Sequence, residues 1–123
     1  MSDPELRVVV IDDSPTVRET VAFILEAEGY EVYKAANGEE GIELVKSVRP
    51  GVIFLDGMMP GMDGFEVCRR LREELGAYQP VIVMLTAMGQ TVDRERAIEA
   101  GVDYFLTKPF DHEEALDILE SAF

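Results

Sequence analysis

Apolar and polar positions along this chain fall into two alternating kinds of run. Leu6 to Ile11, Val52 to Leu55 and Val81 to Leu85 are short, nearly unbroken apolar stretches rich in β-branched residues, the pattern of strands buried on both faces. Tyr30 to Ala35 alternates instead, which predicts an edge strand, and Tyr104 to Leu106 predicts a short fifth strand. Between them the apolar residues recur at helical spacing. Ser14 and Pro15 form a capped start to a helix carrying Val17, Val21, Ile24 and Leu25, which Gly29 ends. Asn37 with Glu40 resembles a capping box ahead of Gly41, Leu44, Val45 and Val48, and Asp63 with Glu66 repeats it ahead of Val67, Cys68, Leu71 and Leu75. Gln90 to Ala100 reads as a charged helix stopped by Gly101, and Asp111 to Ala122 as a last amphipathic one.

Five strands alternating with five helices predict an α/β fold: a doubly wound, five-stranded parallel sheet, because parallel neighbours need crossover connections. With the alternating strand at an edge and right-handed crossovers, the simplest order is 2-1-3-4-5, a flavodoxin-like three-layer (βα)5 arrangement. Its switch point lies between the first and third strands, where ligands bind beyond the carboxyl ends. The length of 123 residues fits one compact domain over residues 1–123.

That topology gives the polar residues at strand ends a meaning that none has alone. Asp12 and Asp13 follow the first strand, Asp56 the third, Thr86 the fourth and Lys108 the fifth, so widely separated segments converge on one rim. Asp56 lies in the stretch Phe54 to Gly64, FLDGMMPGMDG, in which an apolar run ends on one acid and breaks into a glycine-rich turn. Three carboxylates held close repel one another, and a divalent cation with one Lys relieves this. Magnesium fits best, since it takes hard oxygen ligands and leaves positions for a phosphate oxygen. With a Lys as a compact cation and a Thr hydroxyl as a donor, the set suits phosphoryl transfer, and a carboxylate can itself become an aspartyl phosphate.

Composition narrows the rest. A formal charge of −14 argues against a direct nucleic-acid surface, and the single cysteine, Cys68, excludes an internal disulfide and any Cys-based zinc cluster, leaving it as a small core residue. With neither an 18-residue apolar run nor a basic, apolar leader, the expectation is a soluble, cytoplasmic protein with no membrane contact.

The motifs VVVIDDS, FLDGMMPGMDG, VMLTA and YFLTKPF, in this order, resemble those of a response-regulator receiver domain across essentially the whole chain, similar to the stand-alone chemotaxis receiver. The resemblance implies a two-component signalling switch that catalyses only its own phosphorylation and dephosphorylation. Asp56 would be the phosphoacceptor, charged from a histidine kinase or a histidine phosphotransfer protein. Asp13, Asp56 and the Met58 backbone carbonyl would bind magnesium, with Asp12 acting through a bound water. Thr86 and Lys108 would hold the phosphoryl oxygens, and the Lys108 to Pro109 bond would be cis. Thr86 would move toward the phosphoryl group while Phe105 turns inward, and the face built from residues 90–100, 104–106 and 111–122 would meet the downstream effector. That face is acidic, which suits a basic partner patch.

Met58 and Met88 occupy the two variable positions that flank the site in such receivers. Apolar side chains there cannot orient an attacking water, so slow self-dephosphorylation is expected. His112 reads as a helix-start surface residue and not a phosphotransfer group. A magnesium-dependent phosphohydrolase of the aspartate-nucleophile kind would need two aspartates separated by one residue after its first strand, whereas Asp12 and Asp13 are adjacent. A flavin-binding module would need a phosphate-cradling loop where these carboxylates stand. A stand-alone regulator and the receiver part of a longer one share this signature, and it specifies no oligomeric state.

Overall fold

The computed structural model describes residues 6–87 and 94–122. Five parallel strands, β1 (Arg7–Ile11), β2 (Glu31–Ala35), β3 (Val52–Asp56), β4 (Val81–Ala87) and β5 (Tyr104–Lys108), form one sheet in the order β2-β1-β3-β4-β5. The helices between and after them are α1 (Pro15–Glu26), α2 (Gly38–Val48), α3 (Gly64–Glu74), α4 (Arg94–Ala100) and α5 (His112–Ala122). The predicted sheet order is the observed one. The predicted start of α4 at Gln90 lies outside the described residues.

The central strands are apolar throughout because each of their faces has a helical layer to meet. Val8, Val10, Val52, Phe54, Val83 and Leu85 pack with Val21 and Leu25 of α1 and Ala115 and Leu119 of α5. Their neighbours Val9, Ile11, Ile53, Leu55 and Ile82 point the other way, into Ile42 and Val45 of α2, Val67, Cys68 and Leu71 of α3, and Ala100 of α4. Along the edge strand β2, Val32 and Tyr33 are each only partly covered, on opposite faces. Its alternation therefore marks two half-covered sides, not one dry and one wet side.

The caps fall where the sequence puts them, with one difference. The Ser14, Asn37 and Asp63 side chains accept from the backbone N–H groups of Val17, Glu40 and Glu66. The reciprocal half of a capping box is not what the glutamates make: Glu66 pairs with Arg69, one turn on, and the Glu40 side chain meets the Asn37 amide at 3.5 Å. Asp111 is likewise a cap and not the first residue of α5, its carboxylate accepting from Glu114 N–H at 2.9 Å. On α2 the buried apolar side chains are Ile42 and Val45, and Leu44 and Val48 are only partly covered.

Candidate functional site

Three strands run further at their carboxyl ends than their apolar runs suggest. Asp56 pairs in register with Leu85, Thr86 with Thr107 and Ala87 with Lys108, so Asp56, Thr86 and Lys108 are strand residues and not the first residues of loops. The ladder continues because its bonds are made by backbone, which apolarity does not report. The consequence is positional: these side chains stand on the rigid part of the sheet.

Asp12 and Asp13 leave β1 at the same rim. Asp12 is fully buried and tightly held, its Oδ1 accepting from Ser14 N–H at 2.9 Å, its Oδ2 from Lys108 Nζ at 3.2 Å and its carbonyl from Arg18 Nη1 at 2.8 Å. Asp13 is exposed beside it. Asp56 is buried, with Oδ1 accepting from Met58 N–H at 3.0 Å and lying 3.5 Å from Lys108 Nζ. One carboxylate oxygen from each of Asp12, Asp13 and Asp56 lies within 4.8 Å of the others. This oxygen-only set, with no His or Cys among it, can hold a hard divalent cation.

The Asp56 carboxyl is pushed up to about 6, chiefly by burial and also by Asp12 and Asp13, against the lowering effect of the Met58 N–H and Lys108. Thr86 is buried, its hydroxyl 3.5 Å from that of Thr107. The Lys108–Pro109 peptide is cis, as the resemblance implies. Beside Lys108 a cleft of about 330 Å³ runs between α1 and the β5–α5 turn, lined by Thr16, Val17, Thr20, Ala87, Pro109 and Phe110.

Phe105 stands one strand position before Leu106 on β5, with the Arg94 guanidinium 5.2 Å from its ring centroid. It is partly buried on β5, and Tyr104 beside it joins the α1 and α5 side of the core. Met58 is 65% exposed, and Met88 lies outside the described residues. Exposed His112 at the start of α5 meets Glu28 at 2.7 Å. Cys68 is a core residue as expected, donating to the Ala100 carbonyl, and burial pushes its thiol up to about 11.

Gly64, the last residue of FLDGMMPGMDG, shapes the site, although the sequence assigned it no role of its own. Its N–H donates to the Gly57 carbonyl at 3.2 Å, and a methyl group there would overlap the Asp56 carbonyl oxygen and lie 2.8 Å from Gly57 Cα. Both obstacles are backbone, so neither can turn aside. Gly64→Ala is expected to destabilise the fold by roughly 1–3 kcal/mol, measured by urea unfolding, and to weaken magnesium binding by shifting Asp56.

Residues 8–120 match the profile of the family described as Response regulator receiver domain. The chain belongs to that family. As a receiver domain of the two-component response-regulator type, it is similar to the chemotaxis protein CheY4 of Vibrio cholerae, with 32% identity, a TM-score of 0.89, and 97% of this chain and 99% of that one covered. A CheY-like response-regulator receiver protein of Methanospirillum hungatei is 34% identical, with a TM-score of 0.80 over 92% of this chain and 90% of that one. The DNA-binding dual master transcriptional regulator RpaA of Synechocystis is 43% identical over 110 residues, covering 89% of this chain and 46% of that protein. The receiver chain thus spans about half the length of this curated relative. No helix among the described residues is long and apolar enough to cross a membrane.

Proposed function

We propose that residues 1–123 act as one receiver domain in which Asp56 accepts a phosphoryl group from the phosphohistidine of a histidine kinase or phosphotransfer protein. The observation that carries this reading is the cluster of Asp12, Asp13 and Asp56 at the carboxyl ends of β1 and β3, with Lys108 Nζ 3.2 Å from Asp12 and 3.5 Å from Asp56. A carboxylate oxygen of Asp56 attacks phosphorus, the phosphorus–nitrogen bond breaks, and the departing imidazole takes up a proton from solvent. Lys108 then leaves its place between the two acids to pair with a phosphoryl oxygen, and the Thr86 hydroxyl turns from Thr107 to donate to another.

Asp13, Asp56 and the Met58 backbone carbonyl would hold magnesium, with Asp12 acting through a water, and the ion would supply the charge neutralisation that lets a phosphate enter an acidic site. The cleft between α1 and the β5–α5 turn opens beside Lys108 and gives a phosphodonor its approach. Phe105 follows Thr86 inward, and the effector reads the change on the α4, β5 and α5 face. There α5 carries exposed Glu113, Glu114, Asp117 and Glu120 and no Lys or Arg, which suits a basic partner patch. This reading sets the domain in the cytoplasm and gives it no nucleic-acid contact of its own.

The test is intact mass after incubation with acetyl phosphate or phosphoramidate, with and without magnesium. Gain of one phosphoryl group only with magnesium is the expected result. No gain with magnesium bound, from either small donor or from a phosphohistidine protein, would overturn the reading, and turnover of a simple phosphate ester would point to a hydrolase.

A further inference from the structure

The helix α4 is weakly rooted by apolar contact. Only two of its side chains are buried, Ala97 and Ala100, and both are small, while Ile98 is 71% exposed. Its arginines do what larger apolar side chains do elsewhere. The Arg96 guanidinium lies 4.4 Å from the centroid of the Phe65 ring on α3 and 3.3 Å from the Asp63 carboxylate. On its other side, the Arg94 guanidinium lies 5.2 Å from the centroid of the Phe105 ring on β5. This places a cation over the Phe105 ring, a cation–π geometry within the usual range.

We propose that Arg94 is a positioning residue that holds Phe105 in its resting, partly exposed place and thereby sets the equilibrium between the unphosphorylated and phosphorylated forms of the switch. The proposal rests on the reading of Phe105 as the residue that turns inward. If the ring must leave the guanidinium to do so, the contact is made in the resting form alone and is lost in the other. An interaction present in only one of two states moves the equilibrium by its whole strength, however modest. Arg94 touches neither Asp56 nor the acids around it, so it acts only through Phe105.

The test is the affinity of the full chain for beryllofluoride, a phosphoryl mimic, measured by calorimetry in magnesium for wild type, Arg94→Ala, Arg94→Lys, Phe105→Leu and the Arg94→Ala/Phe105→Leu double variant. Arg94→Ala is expected to bind about two- to fivefold more tightly, Arg94→Lys to return toward wild type because an ammonium keeps the cation, and the alanine effect to vanish in the Phe105→Leu background. Arg94→Ala that binds no more tightly than wild type, or an equal gain with and without the ring, would overturn the latch while leaving the site's chemistry intact. Wild type that binds no beryllofluoride despite bound magnesium would overturn the phosphoryl-site reading, and the latch with it.

Discussion

Asp56→Asn is expected to accept no phosphoryl group under any donor and, in EDTA at neutral pH, to be more stable than wild type. The first half follows from the chemistry, since an amide is not the nucleophile a carboxylate is. The second follows from the carboxyl's environment. Its folded pKa is raised from 3.8 to about 6, with burial as the largest cause, so the folded chain binds this proton more tightly than the unfolded one. Stability from this group is then fully present below about pH 4, is lost as pH rises toward 6, and stays lost above it.

The amide removes that loss, because Asn carries no charge to desolvate and its oxygen can still accept from Met58 N–H. Lys108 keeps Asp12 as a partner at 3.2 Å. The gain at pH 7.5 is expected to be about 1–3 kcal/mol, shrinking to nothing near pH 4. Saturating magnesium narrows it by binding the ionised wild type. Urea unfolding of both proteins at the two pH values checks this, and a stability difference that does not change with pH would mean that Asp56 titrates near its unfolded value.

Such an acid was legible in the sequence because fold and site share one cause. A strand buried on both faces must be apolar through its length, so the first polar residue after the run marks the rim, and parallel topology puts every such rim residue on the same edge. Asp12, Asp56 and Thr86 follow from that rule, and Lys108 lies one residue further, after Thr107. Strand ends do not follow from it, since the β4–β5 ladder runs on through Thr86 and Ala87, which look like loop to a reading of apolarity. The role of Gly64 was not legible for another reason: although it ends FLDGMMPGMDG, its crowding against Asp56 comes from the chain fold and not from local pattern.

Guanidinium contacts escaped in the same way. Arg72 gathers the Pro80 and Gly101 carbonyls and the Asp103 carboxylate, tying α3 to the turns before β4 and β5. Arg18 holds the Asp12 carbonyl. Each looks like a surface charge on an amphipathic helix, because a long side chain reaches partners far along the sequence.

Lys108→Met is expected to move two observables in opposite directions, which sets it apart from general damage to the site. Methionine keeps most of the apolar stem and removes only the ammonium. In the resting protein that ammonium lies between Asp12 and Asp56, where it offsets part of their repulsion and opposes the approach of a second cation. Its loss makes the acidic cluster more negative, so magnesium binding is expected to tighten, on the order of tenfold for one unit charge removed at short range. Phosphoryl transfer is expected to slow by roughly 100-fold or more, because a preorganised cation aimed at developing charge is worth that much in a water-poor site.

Calorimetric magnesium titration and the initial rate of mass gain from phosphoramidate read the two effects separately. If both fall together, Lys108 serves to hold the carboxylates in place, and Asp12 and Asp56 splay apart without it. If magnesium binding tightens while transfer is unchanged, the phosphoryl oxygens are neutralised by something other than Lys108, and its assigned role is wrong. Tighter metal with slower transfer is the combination that only a lysine released from two acids to meet a phosphate produces.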